Sequence, residues 1–161
     1  MKLEVYFIRH GESWANKIQN DYGPVHWCIS DPALTPKGIK DTISMTKPDV
    51  DIVCCSELLR AKQTARYAYS NHLIYVIPGA KELGLGLDNL PLKASKYHSS
   101  FIYMKNDKKC TSFLDYLKKF KFNQNTSCLK IALFTHHRFI EKYTEFKNCK
   151  NNEVVKKIYN F

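Results

Sequence analysis

No apolar run in this 161-residue chain approaches the roughly 18 residues that a membrane-crossing helix needs. No pair of cysteines has the C-x-x-C spacing of a zinc or redox site. No segment repeats, none is of low complexity, and no shift in composition divides the chain. The opening Met1-Lys2-Leu3-Glu4-Val5 lacks a basic region followed by an apolar stretch, the mark of a leader. The expectation is a soluble cytoplasmic protein with no membrane partner, folded as one domain over residues 1–161. At 44% hydrophobic residues, a chain of this length can bury a proper core.

Acidic residues are also scarce, 15 Asp and Glu against 25 Lys and Arg, for a net charge of +10. The excess is concentrated in the second half, at Lys93, Lys96, Lys105, Lys108, Lys109 and beyond. Such a field suits an anionic partner: it can steer a phosphorylated substrate to a cleft or hold nucleic acid without specificity, and it can equally be a plain solvated surface. Tyr97, Phe101 and Tyr103 interleave with lysines, which fits nucleic acid and core packing alike. The cysteines Cys28, Cys54, Cys55, Cys110, Cys128 and Cys149 are even in number, but with no leader they are expected as reduced thiols.

What is present begins with Phe7-Ile8-Arg9-His10-Gly11-Glu12-Ser13. Leu3 to Ile8 reads as a buried strand of a parallel sheet, and Gly11 permits a sharp turn and a close approach at its carboxyl end. Open α/β sheets bind ligands at that end. A neutral imidazole is a nucleophile and a guanidinium forms a fork for phosphate oxygens, so Arg9-His10 suits phosphoryl transfer.

Further along, Glu12 to Gln19 begins a helix that Asp21-Tyr22-Gly23-Pro24 breaks. Thr35 and Pro36 mark another start, as N-cap and first residue of a helix to about Thr46. Asp51 to Cys55 is a second strand, and Ser56 is placed to cap the helix that follows it. Arg60 then lies near that helix N-terminus, where an anion is favoured; the plain alternative is a surface ion pair with Glu57. Leu73 to Ile77 is a third strand, followed by Lys81-Glu82-Leu83-Gly84-Leu85-Gly86, a loop carrying one carboxylate. Lys93 to Met104 is weakly helical, and Thr111 to Phe120 is an amphipathic helix with Phe113, Leu114, Leu117 and Phe120 on one face. Leu129 to Phe134 is a fourth strand running into Thr135-His136-His137-Arg138, with a helix from Phe139 to about Phe146 and an edge strand from Glu153 to Tyr159. Three strands thus end on titratable groups that one crevice of a doubly wound sheet would gather.

These blocks resemble the histidine phosphatase superfamily, also called the phosphoglycerate mutase-like family. Arg9, His10, Gly11, Glu12, Ser13 and Asn16 match its opening signature; Asp31, Leu34, Thr35 and Gly38 its second block; Ser56, Arg60, Thr64 and Ala65 its third. Glu82 corresponds to its loop glutamate and Thr135-His136 to its strand-end pair. The resemblance implies a single three-layer α/β sandwich, with a mostly parallel sheet and helices on both faces. It implies a phosphomonoesterase in which His10 is phosphorylated, Arg9, Asn16, Arg60 and His136 hold the phosphate, and Glu82 exchanges protons, with no metal or other cofactor.

Two features depart from the pattern. Position 137 is histidine where the family commonly has glycine, which bears on pocket geometry. Around Glu82 the usual continuation is replaced by Gly84-Leu85-Gly86-Leu87-Asp88, making Asp88 a second candidate proton donor. The interval from Glu82 to His136 is too short for an enclosing cap, so an open site is expected, favouring hydrolysis over a mutase, which must exclude water. The expected partner is a phosphorylated small molecule or phosphoprotein. The alternatives are a mutase-like phosphotransferase and a weakly active module that binds phosphorylated protein or nucleic acid.

Overall fold

Strands covered on both faces read as continuous apolar runs rather than alternating ones, and three strands of this chain do. The computed structural model describes residues 2–92, 101–120 and 127–161. Its sheet holds β1 (Lys2–Arg9), β2 (Ile52–Cys55), β3 (Ile74–Val76), β4 (Phe101–Tyr103), β5 (Cys128–Thr135) and β6 (Val154–Asn160). The order across it is β4-β3-β2-β5-β1-β6. All pairings are parallel except that of the edge strand β6, which runs antiparallel to β1.

The pleat divides each central strand between two cores. Leu3, Val5 and Phe7 of β1, Cys54 of β2, and Leu129, Ile131 and Leu133 of β5 face one side, with Phe113, Leu117, Phe139 and Ile140. Ile8, Val53, Cys55, Ala132 and Phe134 face the other, with Ala65, Ala68 and Tyr69. The first core is closed by α4 (Phe113–Leu117) and α5 (His137–Thr144), the second by α3 (Leu59–Ala68). α1 (Trp14–Tyr22) and α2 (Pro36–Ser44) complete the helices, and α2 packs on α3. This is the expected three-layer α/β sandwich.

Some sequence expectations need correction. α1 runs through Tyr22 and stops only at Gly23, whose φ of +79° is a left-handed value that favours glycine. Ser56 does not cap α3, which begins at Leu59 after Leu58; its hydroxyl is engaged elsewhere. Of the weakly helical span from Lys93 to Met104, Phe101–Tyr103 forms strand β4, parallel to β3, because aromatic and β-branched residues suit a pleated surface. Residues 93–100, including Lys93, Lys96 and Tyr97, lie outside the described residues. Phe101 is buried in the second core, so packing accounts for it. α4 is five residues long rather than ten: Ser112 and Asp115 form a capping box at its start, and its end tightens into Lys119 N–H to Tyr116 O and Phe120 N–H to Leu117 O bonds.

Candidate active site

β5 lies between β1 and β2, so the residues following these three strands emerge side by side. Getting the chain out of β1 requires two glycines. A Cβ on Gly11 would sit 2.6 Å from Thr42 Oγ1 and 3.0 Å from the Gly38 carbonyl; one on Gly38 would sit 2.1 Å from the Glu12 carbonyl. Close packing, not a left-handed φ, is therefore what demands glycine at position 11. Thr35 Oγ1 caps α2 by accepting the Gly38 N–H at 2.9 Å and donates to Glu12 Oε1 at 2.7 Å. Thr64 Oγ1, on α3, accepts the Gly11 N–H at 2.9 Å.

His10, the first residue after β1, is 3% exposed. Its Nδ1 lies 2.7 Å from the Gly11 carbonyl, and Arg60 Nε approaches its Nε2 at 3.2 Å. A carbonyl only accepts and a guanidinium only donates, so Nδ1 carries the proton and Nε2 keeps its lone pair. Burial, and then the charges of Arg60 and Arg9, hold its pKa well below the ordinary 6.5. The ring is neutral.

Arg60 is 3% exposed and faces the cleft; its hydrogen bonds run to His10 Nε2, to the Asp88 carbonyl at 2.6 Å and to Asn89 Oδ1 at 2.8 Å. A surface pair with Glu57 is thereby ruled out. Arg9 ends β1; its Nη1 donates to the Cys149 carbonyl at 2.7 Å, and its buried Nε has no partner among the described residues. His136, fully buried at the end of β5, stacks obliquely with His10 at 5.2 Å between ring centroids. Its Nε2 is 2.6 Å from Ser56 Oγ, the contact that takes Ser56 away from capping. Burial and the neighbouring Arg60 hold His136 neutral as well.

The α3 N-terminus is served by Asp31 instead. Its Oδ1 accepts the Leu59 N–H at 2.7 Å and its Oδ2 the Leu92 N–H at 3.1 Å. This fixes the helix that carries Arg60 to the loop after β3.

A cleft of about 650 Å³ opens above these groups, lined by Arg9, His10, Asn16, Arg60, Glu82 and Asp88 among others. His136 lies beneath the wall rather than in it. Glu82 is half-buried and accepts the Leu83 N–H at 2.9 Å; burial raises its pKa above 4.5 against the opposing pull of that bond, Arg60, His137 and Arg138. Asp88 is 7% exposed, with a buried Oδ1 that has no partner among the described residues. His137, the departure noted above, faces the cleft beside Arg138. Asn16 Oδ1 accepts from Ser13 N–H and Ser13 Oγ at 3.1 Å each, and from Asn151 Nδ2 at 3.3 Å, which leaves the Asn16 NH₂ as the end able to donate.

Two polar residues here carry no motif in the sequence. Asn151 Nδ2 also donates to the His10 carbonyl at 2.8 Å, from a turn in which Asn152 has φ of +60°; the run Lys150-Asn151-Asn152 was its one signal, since asparagine tolerates that conformation. Asn89 follows two glycines and an aspartate, a turn composition. Among the described residues no cluster of three His, Cys, Asp or Glu side chains could hold a metal ion, and no helix is long and apolar enough to cross a membrane.

No curated protein matches the chain. Solved structures do. A mutant phosphoserine phosphatase from Entamoeba histolytica in complex with phosphoserine is 21% identical, with 96% of this chain and 89% of that chain covered at a TM-score of 0.57. A mycobacterial glucosyl-3-phosphoglycerate phosphatase is 14% identical over 98% and 91%, at 0.62. A putative alpha-ribazole-5'-P phosphatase from Escherichia coli is 18% identical over 99% and 96%, at 0.54. At these identities the likeness is one of fold. The model of the histidine phosphatase superfamily (branch 1) matches residues 5–92, the span that carries Arg9, His10, Arg60 and Glu82, and by that match the chain belongs to the histidine phosphatase superfamily.

Proposed function

We propose that this chain, taken as one domain over residues 1–161, is a phosphomonoesterase that works through a phosphohistidine on His10. The observation that carries the reading is the single lone pair at His10 Nε2, fixed by the Nδ1–H bond to Gly11 and facing Arg60 at the base of the cleft. As substrate enters, the Arg60 Nε–H passes from Nε2 to a phosphoryl oxygen; the freed Nε2 lone pair attacks the phosphorus, the bond to the alkoxide breaks, and the alkoxide leaves with a proton from Glu82. The phosphorylated ring, now substituted on both nitrogens, is cationic, and the Gly11 carbonyl stabilises its Nδ1–H. Water then attacks phosphorus, Glu82 takes its proton, and His10 returns neutral.

Phosphoryl transfer depends on positioning and on neutralising charge. Arg9, Arg60, His136 and the Asn16 amide supply this, with no step routed through a metal. Glu82 suits the role of proton carrier because burial has raised its pKa, as a group that must start protonated requires. Hydrolysis is favoured over transfer to a second hydroxyl because the interval from Glu82 to His136 is short for an enclosing cap, and an open site leaves water a path to the phosphoenzyme.

Solved structures of the same fold include phosphatases of phosphoserine and of glucosyl-3-phosphoglycerate, so phosphorylated small molecules are the substrate class to screen first. The test is a panel of phosphomonoesters with His10→Ala as the blank. Turnover by wild type alone, with an acid-labile, base-stable phosphoenzyme, is expected. Equal turnover by His10→Ala, or label that survives acid, would overturn the reading.

A further inference from the structure

The guanidinium of Arg60 is gripped from behind. A guanidinium carries five N–H donors in one plane. Here Nη1 donates to the Asp88 carbonyl at 2.6 Å and Nη2 to Asn89 Oδ1 at 2.8 Å, while Nε points to His10 Nε2 at 3.2 Å. Adjacent residues of one short 3-10 turn, Leu87–Asn89, thus hold the two terminal nitrogens and leave the Nε edge turned toward the nucleophile.

The loop is shaped for this grip. A Cβ on Gly84 would come within 3.3 Å of the Asn89 amide nitrogen, and one on Gly86 within 2.4 Å of Asp88 Oδ1, so both glycines make room for the turn's side chains. The turn closes through Asn89 N–H to Gly86 O and Leu90 N–H to Leu87 O, each 3.1 Å. Asp31 bonds to Leu59 and Leu92, tying the turn to the helix that carries the arginine. Asn89 is itself only 9% exposed.

We infer that Asn89, through its Oδ1, is a positioning residue for phosphoryl transfer: together with the Asp88 carbonyl it locks the Arg60 plane so that the Nε edge meets the phosphoryl oxygens as they pass to His10. The inference rests on the phosphatase reading above. An unheld guanidinium would rotate about its terminal bonds, and a fork aligned only part of the time loses more of its interaction with the transition state, which demands one geometry, than with the looser ground state. The effect therefore falls on kcat more than on KM.

The experiment uses p-nitrophenyl phosphate turnover and the Arg60 Nε–H signal in nitrogen-15 NMR. Asn89→Ala is expected to lower kcat ~10- to 100-fold with KM changed less than ~3-fold, and to broaden the Arg60 signal. Asn89→Asp, which keeps an acceptor oxygen in place, is expected to hold the signal sharp and to recover most of kcat. In an Arg60→Lys background, where no fork remains to align, Asn89→Ala is expected to cost less than ~2-fold more. An Asn89→Ala enzyme with wild-type kcat overturns the inference, as does an equal loss in both backgrounds, which would mean that Asn89 acts through the fold. The NMR signal needs no turnover. Wild type that hydrolyses nothing counts against the phosphatase reading, while an Arg60 signal unchanged by Asn89→Ala counts against the grip itself.

Discussion

Ser56 Oγ lies 2.6 Å from Nε2 of His136, and neither side chain touches solvent. The same hydroxyl oxygen accepts the Leu58 N–H at 3.3 Å, and the expected arrangement has its own proton donated to the ring. A neutral His136 then carries its own proton on Nδ1, the atom with no partner among the described residues, and can offer it to a phosphoryl oxygen. Ser56→Ala should cost ~1–3 kcal/mol in urea unfolding by stranding a buried nitrogen. It should also lower kcat/KM about tenfold, with the ring free to take the other tautomer. Nitrogen-15 shifts of His136 in the wild type check the assignment, and a proton on Nε2 would refute it.

Gly38 is the tightest packing point of the β1 exit. A methyl there meets the Glu12 carbonyl at 2.1 Å and two more backbone atoms of Glu12 within 3.0 Å, none of them able to swing aside as a side-chain tip could. Gly38→Ala is expected to lose at least ~2 kcal/mol of stability. Activity should fall with it, because Glu12 lies two residues from His10. An unchanged urea midpoint would show that the turn can shift without cost.

The strand ends were legible because apolar runs stop there on Arg9-His10, Ser56 and Thr135-His136, and a strand buried on both faces has few other ways to read. Arg60 was legible only as one of two options, since a helix N-terminus does not say which way a side chain turns. What escaped were single polar residues in loops: Asn151 hydrogen-bonds to Asn16 of α1, which is far from it in sequence, and no periodicity announces such a partner. Asp31 was matched as part of a motif, but its service to the α3 N-terminus depends on where Leu59 lies in space. β4 was missed because three residues, Phe101–Tyr103, are too few for a period of two to be told from a period of 3.6.

Activity should survive chelation. In the proposed chemistry Arg9 and Arg60 neutralise the charge that a divalent ion handles in other phosphoryl-transfer sites, and the neutral His136 adds a hydrogen bond. Dialysis against a chelator is expected to leave kcat/KM unchanged, and loss restored by one specific metal would contradict the proposed chemistry.

Stability should fall on acidification, beginning near neutrality. His10 and His136 both have pKa values held well below 6.5 by burial, so the unfolded chain binds protons that the folded chain refuses. Their contribution is complete above the unfolded value and is lost as pH falls through 6.5, at ~1.4 kcal/mol per pH unit for each ring. Glu82, with its pKa raised, acts in the opposite sense above 4.5, because there the folded state is the one that keeps the proton. Two rings against one carboxyl leave a net loss on the acid side of neutrality. Urea titrations between about pH 5 and 7 check this; replacing His136 by Asn should roughly halve the histidine part of the slope, and a flat profile in the wild type would mean that the rings are protonated in the fold.

Arg60→Lys separates a phosphate-binding arginine from a structural one. Lysine keeps the charge but replaces a planar fork by a point donor on a flexible stem. It cannot reach the Asp88 carbonyl, Asn89 Oδ1 and the His10 edge in the geometry that arginine holds at 2.6, 2.8 and 3.2 Å. Two consequences follow from that one change. Buried acceptors left short of a donor should cost ~1–3 kcal/mol of folding stability. Loss of the charge-assisted fork at the transferring phosphoryl group should cost a further ~2–4 kcal/mol of transition-state stabilisation, roughly 30- to 1000-fold in kcat/KM. The first alone would leave the folded enzyme's kinetics intact, so steady-state rates measured well below the melting temperature isolate the second. Wild-type kcat/KM in folded Arg60→Lys would remove this arginine from the phosphate site and leave it as a strut between α3 and the Leu87–Asn89 turn.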